Sequence, residues 1–319
     1  MRTLGPIGID EIRAARERIT GLAVRTPLLR LALDGAPDIY LKLENLQPIG
    51  SFKLRGAGNA MAMLSDQALA RGVYTASAGN MAQGVAWVAR ARGAACTVVV
   101  PDHAPRAKLD AIERLGARVI KVPFDRWWQI IIDHRFEGLD GAFVHPVCSP
   151  DVVAGNGTIG LEIAEDLPEV ATILVPYGGG GLASGIASAA RVCAPAARVL
   201  ACEVDTAAPL APSLAAGEPR EVTYTPTFID GCGSRSVLAE MWPLVRSLIA
   251  GSIVVPVAEV AAAVRTLVER ARVVAEGAGA LPLAAALSGQ AGPGPIVCVV
   301  SGGNIDSHKL AAILTGQLP

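Results

Sequence analysis

The chain of 319 residues carries 28 basic and 29 acidic side chains, a formal net charge of −1, which gives no electrostatic reason to expect nucleic acid or an anionic membrane as partner. Hydrophobic residues make up 51% of the chain but aromatic ones only 4%. Ala, Val, Leu and Ile must therefore fill the core, as in parallel α/β folds whose strands are buried on both faces. Cys96, Cys148, Cys193, Cys202, Cys232 and Cys298 lie far apart with no Cys-x-x-Cys pair, and the four histidines complete no zinc pattern. They read as reduced core thiols of a cytosolic protein.

In chain order, Met1 to Pro6 lacks the apolar run of a signal peptide. Candidate strands are Ile39 to Leu43, Gly72 to Thr75, Cys96 to Val100, Arg118 to Val122, Thr172 to Val175, Arg198 to Cys202 and Pro295 to Val300. Helical periodicity fills the intervals, as in Asn80 to Arg92 and Ala104 to Leu115. Such alternation predicts parallel sheets joined by right-handed crossovers. The short, regular strand spacing between Gly72 and Val122 marks a compact lobe of its own. Pro- and Gly-rich punctuation at Gln47 to Gly50 and His145 to Pro150 marks lobe crossings. The chain thus divides into a discontinuous large domain, 1–64 with 146–319, and a small domain, 65–145, that closes over a cleft. Ala208 to Thr227 is long and polar, and is expected to pack over the surface near the site. The nearest approach to a membrane span, Ile253 to Val264, is broken by Pro256 and Glu259, so a cytoplasmic protein is expected. After Asn304 only one short helix fits before Pro319, so no appended regulatory domain is expected.

Four motifs carry chemistry. Pro176-Tyr177-Gly178-Gly179-Gly180-Gly181-Leu182 follows a strand and opens an Ala-rich helix. Consecutive glycines let the backbone approach an anion, and the helix N-terminus offers it free N–H groups. The spacing is neither that of a P-loop nor that of a dinucleotide turn; the plain alternative is a tight strand–helix turn. Lys53 follows Pro48-Ile49-Gly50 and opens a segment that reads as helical to Leu64. Most lysines are solvated, but one beside Phe52 and partly desolvated would present a neutral amine suited to imine formation. Ser77-Ala78-Gly79-Asn80-Met81 lies between a strand and an amphipathic helix. It is either a carboxylate site at a helix N-terminus or an ordinary cap. Ser301-Gly302-Gly303-Asn304 follows a strand, with Asn304 as a helix cap in the plain reading.

Together these motifs resemble the fold type II pyridoxal phosphate enzymes, and within them the serine/threonine dehydratase (threonine ammonia-lyase) group, over essentially the whole chain. Ser51-Phe52-Lys53-Leu54-Arg55-Gly56, Ser77-Ala78-Gly79-Asn80, Gly157-Thr158-Ile159-Gly160-Leu161-Glu162, the glycine loop, Glu276-Gly277-Ala278-Gly279 and Ser301-Gly302-Gly303-Asn304 occur in the family's order. The resemblance implies a two-lobe α/β fold of the tryptophan synthase β type, with pyridoxal 5'-phosphate between the lobes, and a homodimer. It implies that Lys53 holds the cofactor and removes the substrate Cα proton. Phe52 packs on the pyridine ring, Asn80 meets its hydroxyl and Ser301 its nitrogen. Gly178, Gly179, Gly180, Gly181 and Leu182 bind the phosphate, and Glu276 joins the cofactor-binding set. Ser77, Gly79, Met81 and Gly231 contact the amino acid substrate. A neutral Ser301 leaves the cofactor a weaker electron sink than a carboxylate would, which favours loss of a β-substituent as the proton departs. The implied reaction is dehydration and deamination of a β-hydroxy amino acid such as L-threonine or L-serine to a 2-keto acid and ammonia.

Departures qualify this. Ala78 stands where serine racemases carry a second catalytic serine, which favours a lyase. Met81 replaces the usual histidine, and Tyr177 a small aliphatic residue whose place demands a partner for a buried hydroxyl. Trp127-Trp128 is unusual. If one indole lines the cleft, a bulkier substrate such as phenylserine follows; otherwise both pack. Arg235 reads as solvated. Glu203 matches one ligand of a cation site in some relatives, but Pro209 falls at the second acidic position, so no metal is assigned. A β-replacement enzyme and a non-catalytic amino acid sensor are the rival readings.

Overall fold

The computed structural model describes residues 4–319; the terminal Met1 to Thr3, part of the expected large domain, lies outside the described residues. Among these residues ten strands form two sheets. The larger contains β1 (Leu28–Leu31), β2 (Ile39–Lys42), β7 (Thr172–Pro176), β8 (Arg198–Val204), β9 (Gly251–Val255) and β10 (Ile296–Val299), in the order β1-β2-β10-β7-β8-β9. All its pairings are parallel except β1 with β2. The smaller is parallel throughout, with β3 (Val73–Ala76), β4 (Cys96–Pro101), β5 (Arg118–Val122) and β6 (Ala142–Phe143) in the order β5-β4-β3-β6. The seven strands read from the sequence are present. The missed ones are β1, β6 and β9. β1 and β9 are edge strands with weak burial patterns and β6 has two residues, so none shows the continuous apolar run that marks a central parallel strand.

Helices cover both faces of each sheet, so the central strands are buried almost throughout and successive side chains join the cores on opposite faces. Val98 and Val100 of β4 pack with Leu54, Ala57 and Met61 of the Lys53–Ala62 helix, while Val99 between them packs with Tyr74, Ile130 and Phe136 on the opposite face. The Ala208 to Thr227 stretch is not all irregular: Leu210–Ala216 is helical, its first N–H groups bonded to Glu203. The remainder folds back by Val222 N–H to Arg235 O and Thr225 N–H to Thr206 O. Asn304 caps no helix; Asp306 caps the Ser307–Leu314 helix. Among the described residues no helix is long and apolar enough to cross a membrane.

Behind the Lys53 helix lies a fully buried ionic cluster. Arg55 donates through Nε and Nη2 to Glu44, both at 2.8 Å, and through Nη1 and Nη2 to Glu162 at 2.6 and 2.9 Å. Lys42 donates to Glu162 at 2.5 Å and to the Thr26 carbonyl at 2.6 Å. Lys42, Glu44, Arg55 and Glu162 are all 3% exposed or less. The charges balance, and Thr26, Gln47 and Thr158 fill further hydrogen-bonding positions. Burial by itself would raise the Glu44 carboxyl, but the Arg55 charge and its hydrogen bonds outweigh that and hold it below the usual range. This explains the Gly157 to Glu162 motif. Thr158 and Glu162 face Arg55, while a Cβ at Gly160 would stand 2.8 Å from the Ile186 carbonyl of the neighbouring Gly181–Cys193 helix. The glycine permits the close approach and the polar positions supply the lock.

Removing one member of such a cluster strands a charge in the core, a loss of about 3–5 kcal/mol. Glu162→Gln is expected to lower the thermal midpoint clearly. Arg13→Ala, which breaks the exposed Arg13–Asp10 pair, is expected to change stability by no more than about 0.5 kcal/mol. Thermal unfolding of the two purified variants compares them; equal midpoints would remove the cluster's structural role.

Candidate active site

Backbone pairing brings the motifs together. Ser51 bridges Gly302 antiparallel, Phe52 N–H donates to Ser301 O at 3.0 Å, and Gly303 N–H donates to Gly50 O at 2.9 Å. The turn after β10 is thereby clamped to the segment that enters the Lys53 helix. Glu276 N–H donates to Gly302 O at 3.0 Å, which seats the Gly277–Leu287 helix on the same turn. A Cβ at Gly279 would stand 2.4 Å from the Gly302 carbonyl. The glycines of the last two motifs thus answer one close contact.

Lys53 is half-buried, with Nζ 3.0 Å from the Pro146 carbonyl and 5.1 Å from the Phe52 ring centroid. Burial lowers the amine from 10.5 to about 8, against the opposing influence of Cys232 and Glu276. Asn80, the first residue of the Asn80–Ala91 helix, donates to Glu276 Oε1 at 2.8 Å and accepts from Asn304 Nδ2 at 2.8 Å. Asn304 Nδ2 also donates to Ile49 O. Asn80 and Asn304 are therefore linkers between the sheets rather than caps. Glu276 is buried, and burial with the nearby Asp230 raises it from 4.5 to about 7, against the Asn80 hydrogen bond and the charges of Lys108 and Lys53.

The glycine loop leaves β7 and starts the Gly181–Cys193 helix, with Gly180 at φ +90° as N-cap and no side chain capping it. A Cβ at Gly179 would lie 2.6 Å from Val147, and one at Gly178 3.2 Å from the Gly231 carbonyl. The loop has backbone only, with Leu182 buried in the first turn and the N–H groups of that turn without helical partners. Tyr177 directly before it is 1% exposed, and its hydroxyl has no hydrogen-bond partner. Ser77 to Asn80 are half-buried, Ser77 Oγ accepts from Gly79 N–H, and no side chain occupies the space at Gly79. Met81 is a core residue packed with Leu54 and Val85, so only its backbone N–H faces the helix N-terminus. Ser301 is buried; Gly231 is exposed beside Asp230, which Lys108 of the Arg106–Arg114 helix reaches at 2.5 Å.

Two readings left open by the sequence are narrowed. Neither indole joins these residues. Trp127 packs on the outer cluster that holds Ile130 and Phe136 and lies tilted against Phe124 and against Trp128, which is 38% exposed. The bulkier-substrate reading loses its basis. Glu203 is occupied by the Leu210 and Ala211 N–H groups and the Ser252 hydroxyl, so it serves the fold as a helix anchor. Arg235 is exposed, as expected. What sequence reasoning missed is the carbonyl of Pro146 and the side chain of Val147. Both were visible only as punctuation between lobes.

A neutral-prone amine, a side-chain-free helix N-terminus and buried small polar groups suit a phosphate-bearing aldehyde cofactor, and the glycine positions leave the anion cradle clear of side chains. The family model of pyridoxal-phosphate dependent enzymes matches residues 19–302, and the chain belongs to that family. The L-threonine ammonia-lyase of Thermotoga maritima is 40% identical over 98% of this chain and 79% of its own length. The catabolic L-threonine dehydratase of Staphylococcus aureus strain N315 is 36% identical over 98% and 94%. Among solved structures, maize serine racemase superposes with a TM-score of 0.89 at 34% identity, over 97% of each chain. The threonine deaminase of tomato, Solanum lycopersicum, in the processed form of its isoform 2, superposes at 0.82 and 30%, over 99% of this chain and 97% of that one. The two-sheet α/β architecture is that of fold type II enzymes.

Because Glu276 holds its proton to about 7 in the fold but only to about 4.5 when unfolded, the folded chain binds the extra proton between those values. Its contribution is fully present below pH 4.5 and lost as pH rises through 7, by on the order of 3 kcal/mol. In the cofactor-free protein, Glu276→Gln is expected to flatten the decline of stability across this window. Unfolding midpoints measured from pH 4.5 to 8 check it.

Proposed function

We propose that this protein is a threonine ammonia-lyase, converting L-threonine, and L-serine as a smaller substrate, to the 2-keto acid and ammonia. The observation that carries the reading is the Lys53 amine. It is desolvated to about 8 and held beside a turn that also carries Ser301. The relatives named for threonine support the substrate class.

Bound in this cleft, pyridoxal phosphate supplies the electron sink that weakens the substrate Cα–H bond. Gly178, Gly179, Gly180, Gly181 and the Leu182 N–H hold its phosphate at the helix N-terminus. Phe52, Asn80 and Ser301 would meet its ring face, hydroxyl and nitrogen, with Glu276 behind Asn80. Ser77, Gly79 and the Met81 N–H hold the substrate carboxylate, and Gly231 borders the substrate opposite them. Lys53 takes the Cα proton; an amine near 8 is basic enough to accept it and is partly unprotonated at neutral pH. The proton Lys53 has taken is then available to the departing β-hydroxyl, which leaves as water, and the enamine released tautomerises to an imine and hydrolyses to keto acid and ammonia. Ala78 offers no proton carrier on the other face of Cα, so the likeness to serine racemase is not extended to racemisation.

The domain made of 65–145 is assigned the closing motion over the rest, 1–64 with 146–319. The Lys108–Asp230 pair joins it to the segment bearing Gly231. A homodimer acting in the cytoplasm completes the proposal.

Keto acid release from L-threonine, L-serine, D-serine, phenylserine and 3-hydroxyaspartate tests it. L-Threonine or L-serine is expected to be best, phenylserine poor, and Lys53→Ala to lower kcat by at least about 10³-fold. No keto acid from any substrate with cofactor bound would overturn the reading in favour of β-replacement or sensing.

The same panel tests Ala78. L-Serine is expected to yield pyruvate without D-serine, and Ala78→Ser to introduce measurable D-serine; chiral chromatography of the reaction mixture reads both.

A further inference from the structure

The segment that returns the chain from the small sheet to the large one is shaped by one imidazole. His145 is 4% exposed. Its Nδ1 accepts from the Val147 N–H at 2.9 Å and from the Cys148 N–H at 2.6 Å, and its Nε2 lies 3.1 Å from the Ile131 carbonyl. Two donors meet Nδ1 and one acceptor meets Nε2, so only the neutral Nε2–H tautomer satisfies all three. Burial, with the neighbouring His134 and Lys53, lowers the imidazole to about 3, so no added charge appears near Lys53 at working pH.

What this ring holds is the turn Pro146-Val147-Cys148. Pro146 presents its carbonyl to Lys53 Nζ at 3.0 Å. Val147 backs the glycine loop: a Cβ at Gly179 would meet its side chain at 2.6 Å, and one at Gly181 its carbonyl at 3.2 Å. Both the amine and the anion cradle therefore rest on a turn whose conformation His145 sets. The ring is itself braced. His134 packs against it with a tilted ring, 4.2 Å between centroids, and reaches Glu240 through Nε2 at 3.1 Å. Ile131 and His134 belong to the end of the Phe124–Asp133 helix, which packs on the small sheet, whereas Glu240 lies past the exposed Gly231 segment. A small cavity opens beside the ring between Ile131, His134, His145, Cys148 and Glu240.

We propose that His145 is a positioning residue for Lys53, acting through the Pro146 carbonyl, and fixes the amine relative to the glycine loop. The inference rests on the reading of Lys53 given above. Without the Nδ1 acceptor, two buried N–H groups lose their partner and the turn reorganises to satisfy them. The amine then loses its register with the anion cradle, while the substrate-binding helix N-terminus at Ser77 to Met81 is untouched.

The test uses the full-length enzyme, stripped of cofactor and reloaded with pyridoxal phosphate. Growth of the bound-cofactor absorbance band gives the rate of covalent capture, and borohydride reduction with peptide mass spectrometry locates the modified amine. For His145→Leu, capture is expected to slow at least tenfold, and kcat per bound cofactor to fall at least tenfold, with the KM for L-threonine within threefold of wild type. His145→Asn places an oxygen near the Nδ1 position and is expected to recover both rates to within threefold. Should His145→Leu not fold, His145→Asn decides: a folded protein with slow capture overturns the proposal. Wild-type capture rate and kcat in His145→Leu also overturn it, as does a loss confined to thermal stability. A modified amine other than Lys53 in the wild-type protein would instead overturn the assignment of Lys53.

Discussion

The arrangement of this molecule depends on the buried salt-bridge cluster of Arg55, Glu44, Glu162 and Lys42. Four ionised groups withdrawn from water are costly unless each is paired and hydrogen-bonded, and here two cations and two carboxylates close on one another with Thr26, Gln47 and Thr158 filling further positions. Such a cluster is weak as a source of net stability but strict about geometry. It ties β2, the turn after it, the Lys53–Ala62 helix and the Pro150–Asp166 helix into one register. Arg55 stands two residues beyond Lys53, so the guanidinium fixes the first turn from behind while the amine faces the cleft.

In front of that turn the electrostatics are of a different kind. Lys53 is drawn down and Glu276 drawn up by the same cause, loss of water, with few fixed charges to oppose it. Both groups are left able to change protonation near neutrality, unlike the locked ions behind. Asn80 and Asn304, uncharged and able to donate and accept, join the two sides of the cleft without adding charge. The contrast between a saturated ionic cluster and an under-saturated polar cleft separates the part that holds shape from the part available for chemistry.

Besides the Asn80 links, the small sheet meets this cleft along two further routes. One is the Lys108–Asp230 pair at the rim, which is partly solvated and therefore easily opened. The other is the His145 turn, whose hydrogen bonds are buried and resist opening. In the proposed closure, the weak surface pair serves as the latch, and the stiff turn keeps the amine in register as the rim opens.

Much of this is legible in the order of residues. Continuous apolar runs such as Thr172 to Val175 announce buried parallel strands because both faces are covered, and glycine runs after them announce an anion cradle because only glycine leaves the backbone bare. The loop from Gly178 is found this way, whereas Lys53 and Asn80 are singled out by the family resemblance of their motifs. The edge strands, the placing of Trp127 and Trp128 away from the cleft, and the use of Glu203 and Asp306 as helix anchors are not, since each depends on which neighbour a side chain meets. Residue order alone was enough for the chemical types at the site and for the alternation that builds two parallel sheets, both being local consequences of backbone freedom and burial. It took the folded chain to bring Arg55 to Glu162 and Asn304 to Asn80, and to set His145 under the turn facing Lys53, because those pairings join segments far apart in the chain or turn on the direction of a hydrogen bond.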